Sequence, residues 1–297
     1  MQDMTVSVRA PAKVNLYLAV GAPRPDGYHP LATVFQAVDL YDTVTVRPAD
    51  EITLQMGGIG AHLPTDYTNL AMRAAVHLAE FADVEEGADI FVEKRIPIAG
   101  GMAGGSADAA GTLVALDRLW ALGLSQEQLL RIGAELGADV PFCLMGGTAL
   151  GMNRGDELTP LLSRGKYSWV FVTQEAGLST PDVFRRFDLE GPEAPEVPEV
   201  DTRFLAALAQ GDTEFVARHA QNDLGECALA MHTDARAIMD ACHRASLPAI
   251  VSGSGPTIAV FVSQDECLDS LTELMQEAVP TAQCVAARGP VPGAHVV

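Results

Sequence analysis

The sequence predicts an α+β protein built as two domains. The first observation is length: 297 residues suit one large domain or two ordinary ones. The second is pattern: period-two strands and 3.6-period helices both occur, without the regular strand–helix alternation of a parallel sheet. The third is a stretch at 188–200 with three prolines and five acids, which reads as a solvated connector. The expected division is 1–157 and 158–297. Hydrophobic residues at 48% and charged residues at 20% are ordinary globular values.

In order, Val6 and Val8 alternate, then Val14, Leu16, Leu18 and Val20, then Val44 and Val46, and each set predicts a strand. A helix is expected from Asn69, with Leu70, Ala74, Leu78 and Phe81 on its apolar stripe. Ile90 and Val92 mark a strand that runs into a glycine-rich turn. The next helix carries Ala109, Leu113, Leu116 and Trp120, and Ser125 with Gln128 forms a capping box ahead of Leu129, Leu130, Ile132 and Leu136. The second half offers a strand at 169–172, a short helix at 183–187, and helices at about 201–220 and 225–245. Strands at 250–251 and 258–262 flank Gly253-Ser254-Gly255. Ser263 with Glu266 is expected to cap a helix through Leu268, Leu271 and Leu274, and a last strand passes Cys284.

The charge excludes several functions. Nineteen Lys and Arg against 39 Asp and Glu give −20, a field that repels phosphate backbones and anionic bilayers. Nucleic acid and membrane are therefore not expected partners, and an anionic substrate needs a locally built site. The five cysteines (Cys143, Cys227, Cys242, Cys267, Cys284) form no CxxC pair and read as free, mostly buried thiols of a reducing compartment. Residues 1–11 hold no apolar signal core, and no 18-residue apolar run exists, so a cytoplasmic protein is expected. Seven histidines without a His-x-x-x-His pair, and cysteines without ligand spacing, argue against zinc or iron.

Four motifs carry chemistry. The strongest is Pro97-Ile98-Ala99-Gly100-Gly101-Met102-Ala103-Gly104-Gly105-Ser106-Ala107, where a strand passes through four glycines into an amphipathic helix. Glycines admit an anion close to the backbone, and the helix start adds unpaired N–H groups and the positive dipole end. It is neither a Walker A loop nor a Rossmann fingerprint; the plain alternative is a tightly packed strand-to-helix connection. The second motif is Lys13-Val14-Asn15-Leu16-Tyr17-Leu18, whose alternation puts Lys13, Asn15 and Tyr17 on one face. That face is either solvated or functional. Lysine is scarce here, with only Lys13, Lys94 and Lys166, and the strand leads to Asp26-Gly27-Tyr28-His29, a turn presenting a ring and an imidazole. Third, Asp139 in Gly137-Ala138-Asp139-Val140-Pro141 precedes an apolar segment; it is either a turn-former or a base. Fourth, Ser252-Gly253-Ser254-Gly255-Pro256-Thr257 is a tight connection or a second backbone-rich site wall.

Taken together and in order, these motifs resemble the GHMP kinase family over nearly the whole chain. Residues 11–16 match its first motif, 97–110 its ATP loop, 137–141 its acid motif and 253–257 its last glycine turn. The turn 26–29 is similar to the branch whose acceptor is a cytidine diphosphate sugar-alcohol of isoprenoid biosynthesis. The resemblance implies an N-terminal nucleotide-binding α+β domain and a C-terminal ferredoxin-like α+β domain, with ATP as co-substrate and Mg²⁺. It further implies that Asp139 accepts the acceptor's hydroxyl proton, while Lys13 pairs with Asp139 and stabilises the developing charge. Asn15 orients the substrate, 97–107 hold the triphosphate, Tyr28 stacks on cytosine and His29 reads its edge. Phe184 resembles a second aromatic wall, with Thr180 beside it; the plain alternative for Phe184 is a helix-core residue. Ala99 and Ala103 stand where the family has glycine, and Ala107 where a second serine is common, leaving Ser106 as the loop hydroxyl placed to reach phosphate or magnesium. Two rivals stay open: a sister kinase for homoserine or mevalonate-type alcohols, and a non-catalytic nucleotide-binding protein on the same scaffold.

Overall fold

The structure is a computed structural model that describes residues 5–174, 176–263 and 268–297. The first part of the chain runs β1 (Val6–Val20), β2 (Leu31–Ala49), β3 (Thr53–Gly58), α1 (Leu70–Ala82), β4 (Gly87–Lys94), α2 (Gly104–Leu119), α3 (Gln126–Leu136), α4 (Val140–Met145), β5 (Thr148–Asn153) and β6 (Glu157–Pro160). There follow β7 (Tyr167–Thr173), α5 (Thr180–Glu190), α6 (Thr202–Gln210), α7 (Thr213–His219), β8 (Gln221–Asn222), α8 (Gly225–Met231) and α9 (Thr233–Arg244). The chain closes with β9 (Ala249–Val251), β10 (Ile258–Val262), α10 (Leu268–Ala278), β11 (Gln283–Gly289) and β12 (His295–Val296).

An eight-stranded sheet has the order β12-β1-β2-β4-β3, with β5 on β2, β6 on β5 and β8 on β1. The three alternating sets at the N-terminus resolve into two long strands. β1 pairs with β2 along its length, and its register shifts twice, between Pro11 and Ala12 and between Asn15 and Tyr17. Such irregularities re-aim side chains beside functional sites, and these two bracket Lys13 and Asn15. From Ala10 onward both faces of β1 are buried, so the face bearing Lys13 and Asn15 is not solvated. Helix α2 covers the sheet with small residues: a Cβ built at Gly111 would lie 2.7 Å from Val44 Cγ2, so only glycine permits this approach.

The second sheet is antiparallel with order β11-β7-β10-β9. Its strands enter as β–α–β–β–α–β, the split ferredoxin-like arrangement, and α9 and α10 pack on it. This is the expected two-domain α+β fold. A division into 1–157 and 158–297 is our proposal; it separates the bulk of the two sheets, while the β5–β6 hairpin spans residue 157 and β8 and β12 join the first sheet.

Several local expectations appear as read. Asn69 Oδ1 accepts from Ala71 N at 2.9 Å and caps α1, and the Ser125–Gln128 capping box is formed. Others shift. The buried stripe of α1 is Ala71, Ala74, Ala75 and Leu78, while Phe81 is exposed beneath the Arg131 guanidinium. The two long helices expected after 201 are each broken: Asp212 caps α7 after the turn at Gly211, and the His232 ring accepts from Ala235 N to start α9. Asp188 ends up inside α5, and the connector that follows lies against the turn after β1, with Ala22 N donating to Pro195 O at 2.8 Å. Cys143, Cys227 and Cys242 are free and buried, and burial pushes the Cys242 thiol up to about 12. Glu266 and Cys267 lie outside the described residues.

Candidate active site

The glycine-rich loop leaves β4 at a buried charge cluster. Asp42 Oδ1 accepts from Arg95 N (2.6 Å) and Ile96 N (2.9 Å) and fixes the strand end. Ala99, Gly101 and Ala103 then take φ of +53°, +75° and +60°, so the chain curls through the left-handed region three times in five residues. At Gly101 a side chain is impossible, because a Cβ would sit 2.0 Å from Ser252 O. Ala99 and Ala103 accept the same conformation at a cost of about 1–2 kcal/mol each. Lys13 N donates to Met102 O (3.2 Å) and Ser252 Oγ to Gly101 O (3.2 Å), which lashes the loop to β1 and to the 252–257 turn. No side chain caps α2. Its first N–H groups therefore point out of the loop with the positive end of the dipole, as a phosphate requires.

Beside the loop, Lys13 is 5% exposed. Its Nζ donates to Asn15 Oδ1 (2.7 Å), Asn15 Nδ2 donates to Thr33 Oγ1 (2.8 Å), and Thr33 Oγ1 donates to Tyr17 O (2.8 Å). This relay leaves Asn15 one orientation. Lys13 Nζ lies 3.8 Å from Asp139 Oδ2, a carboxylate delivered by the residue just before α4. β1 and α4 are far apart in sequence, so the pair is a product of tertiary folding.

Two cavities meet at Asp139. The first, about 480 Å³, is lined by Lys13, Asn15, Pro97, Ile98, Ala99, Gly100, Gly101, Met102, Ala103, Gly104 and Gly105. The second, about 810 Å³, takes in Tyr28, His29, Ser106 and Ala138. Asp139, Arg154, Thr180 and Phe184 line both. All the expected site residues thus converge except Ala107, which is fully buried in the core and lines neither cavity. Ser106 faces the second cavity and not the first.

The second cavity has an aromatic end. Tyr28 is 56% exposed, with the Arg154 guanidinium 5.6 Å from its ring centroid. His29 is buried against Phe184 at 5.2 Å between centroids, with Nδ1 2.8 Å from Gly21 O and Nε2 3.1 Å from Asp188 Oδ1. Both ring nitrogens of His29 are therefore engaged by the protein itself. Phe184 is half-buried at this wall and also lies against the second core.

Sequence reasoning passed over three groups. Lys94 Nζ pairs with Asp42 and with Asp108 Oδ2 (2.8 Å) beneath Gly104, and Asp108 Oδ1 is buried with no partner among the described residues. The scarcity of lysine was a usable signal for Lys94; nothing local marked Asp42. Asn222, which the sequence did not mark, donates Nδ2 to Val251 O and Gly253 O, both at 2.7 Å, and holds the last glycine turn together with the expected Thr180, whose Oγ1 meets Ser254 Oγ at 2.8 Å. Arg154, in both cavities, carried no motif.

A glycine-rich loop running into an uncapped helix start, an inward lysine–aspartate pair and a second pocket on a fold of this topology mark a small-molecule kinase of the GHMP class. The N-terminal domain description of GHMP kinases matches residues 69–147. Among curated relatives, a 4-diphosphocytidyl-2-C-methyl-D-erythritol kinase of Mycolicibacterium smegmatis is 50% identical, over 99% of this chain and 92% of its own. A crystal structure of 4-(cytidine 5'-diphospho)-2C-methyl-D-erythritol kinase superposes with a TM-score of 0.74 at 31% identity, over 95% of this chain and 98% of that one. A homoserine kinase from Cytophaga hutchinsonii superposes at 0.76 with 18% identity, over 100% and 98% of the two chains; this shows the fold alone. The chain belongs to the 4-diphosphocytidyl-2-C-methyl-D-erythritol kinase family, whose members are phosphotransferases with an alcohol acceptor. No described helix is long and apolar enough to cross a membrane.

Proposed function

We propose that this chain transfers the γ-phosphoryl group of ATP to the 2-hydroxyl of 4-diphosphocytidyl-2-C-methyl-D-erythritol, a step in isoprenoid precursor biosynthesis. The observation that carries the reading is Asp139 at the junction of a cavity walled by a phosphate-binding loop and a cavity with an aromatic end. In that position Asp139 takes the proton of the attacking hydroxyl as its oxygen bonds to the γ-phosphorus. The bond from that phosphorus to the β–γ bridging oxygen breaks, and ADP leaves. Phosphoryl transfer asks for positioning and charge stabilisation more than covalent help. Lys13, buried and 3.8 Å from Asp139, supplies positive charge where the transferred group passes. Asn15, fixed by Thr33, orients the acceptor. The loop 97–105 and the start of α2 hold the triphosphate, and Tyr28 and Phe184 hold the cytosine ring.

Magnesium fits this donor set sparingly. Among the described residues no three His, Cys, Asp or Glu side chains cluster for a metal. Mg²⁺ commonly binds through one or two carboxylates together with substrate phosphates and water. Asp139, which lines both cavities, would hold it, while Ser106 lines only the second cavity; when bound it would neutralise phosphate charge.

The test is ADP formation with the cytidylyl substrate against homoserine and mevalonate, in wild type and Asp139→Asn. Turnover confined to the cytidylyl substrate is expected. Asp139→Asn should lower kcat by roughly two to four orders of magnitude, with ATP affinity little changed. Near-normal turnover in the variant would make Asp139 structural and overturn the mechanism.

A further inference from the structure

Helix α5 lines the second cavity with Thr180, Pro181, Phe184, Arg185 and Asp188. Thr180, Phe184 and Asp188 follow at i, i+4 and i+8, share a face, and all line that cavity. Their chemistry changes along the row: a hydroxyl held by Ser254 near the last glycine turn, an aromatic ring against His29, and a carboxylate at the far end. The transfer itself leaves Asp188 without a task. Its own helix does not neutralise it, because Arg185 pairs with Asp182 and Arg186 with Glu190, each at 2.6 Å. Only His29 Nε2 meets it among the described residues, at 3.1 Å, and the Asp188 side chain keeps 42% of its surface open.

On the functional reading above, a pyrimidine held at Phe184 would have its edge within reach of the next turn of α5, about 5 Å further along the axis. Cytosine carries an amino donor on that edge where uracil carries a carbonyl acceptor, and a carboxylate only accepts. We infer that Asp188 is a specificity-determining residue that accepts a hydrogen bond from the exocyclic amino group of cytosine and repels the carbonyl of uracil. The inference rests on the second cavity being the cytidylyl site.

Calorimetry with CDP and UDP tests it, with the phosphate loop first saturated by a non-hydrolysable ATP analogue. Turnover of the cytidylyl substrate is measured alongside. Wild type should bind CDP at least about tenfold tighter than UDP. Asp188→Asn, whose amide both donates and accepts, should bring the ratio close to one, chiefly by admitting UDP, while Asp188→Glu should keep a preference for CDP. An unchanged ratio in Asp188→Asn overturns the inference; so does equal weakening of both ligands, the result if Asp188 merely braces His29. Wild-type turnover with an unchanged ratio removes the role of Asp188 alone. Absence of turnover with the cytidylyl substrate removes the functional reading and this inference with it.

Discussion

Tyr28 presents a ring that the fold leaves half free: 56% of its surface is exposed, with the Arg154 guanidinium near it and a cavity beside it. A tyrosine so exposed does nothing for a core, whereas a stacked base is worth about 1–3 kcal/mol by alanine substitution. Tyr28→Ala should therefore weaken the cytidylyl substrate roughly 5- to 150-fold, and Tyr28→Phe much less, because the ring remains. ATP affinity should hold in both, since Tyr28 does not line the loop cavity. Substrate and ATP Kd values for the two variants check this, and equal losses for Ala and Phe would shift the credit to the hydroxyl. His29, adjacent in sequence, plays a different part: with Nδ1 on Gly21 O and Nε2 on Asp188, its ring binds the turn to α5.

At the scale of elements, the glycine-rich loop rests on Lys94 at the end of β4, Asp108 in α2 and Asp42 in β2, all 3% exposed or less. Two carboxylates and one ammonium do not balance. Burial pushes the Asp108 carboxyl well above the usual carboxylate range, Lys94 opposes this, and Asp42 adds to it. Burial pulls the Lys94 ammonium down, but Asp108 and Asp42 outweigh it and the net direction is up. A raised carboxyl binds its proton more tightly folded than unfolded, so its contribution falls as pH climbs out of the ordinary carboxylate range. The Lys94 contribution has the same sign but is lost only above the ordinary lysine range. Wild type should therefore lose stability relative to Asp108→Asn between about pH 4 and 7, measured by urea unfolding at both ends. A constant difference would show an ordinary carboxyl. Lys94→Met strands two buried carboxylates and should cost about 3–5 kcal/mol, read from the urea midpoint.

Across the whole molecule, the C-terminal segment straps α4 and β1 together. Gly147 N donates to Val291 O (2.7 Å), Val291 N to Ala37 O (3.2 Å), Ala294 N to Cys143 O (2.8 Å) and Val297 N to Ser7 O (2.9 Å). Each is worth about 1 kcal/mol net. Deleting residues 290–297 should then lower Tm by more than about 5 °C. It should also reduce kcat more than ATP affinity, because α4 carries Asp139 while the loop is held by β1 and the 252–257 turn. Thermal unfolding and ATP calorimetry of the truncated chain decide it; a parallel loss of both activities would mean the strap supports the fold without favouring the α4 side.

Local pattern already determined much of this protein. The glycine loop entering α2, the alternation that aims Lys13 and Asn15 to one side, the Tyr28-His29 turn and the capping box at Ser125 depend on neighbours within a few residues, so the sequence alone made them legible. The first half of β2 went unread because it is buried on both faces and so shows no polar alternation, although its partner β1 is next to it in the chain. Strands β3, β5, β6, β8 and β12 went unread because each is only two to six residues long. Lys94 between Asp42 and Asp108, and Asp188 against His29, were decided only by tertiary structure, as was the distance between Lys13 and Asp139, a pair that only the family resemblance anticipated. Each joins side chains from separate elements, and charge pairing over a few ångströms depends on where the sheet and helices place them, which no spacing along the chain encodes. The same holds for Ala107: its position in the motif suggested the phosphate site, and the turn of α2 sent it into the core.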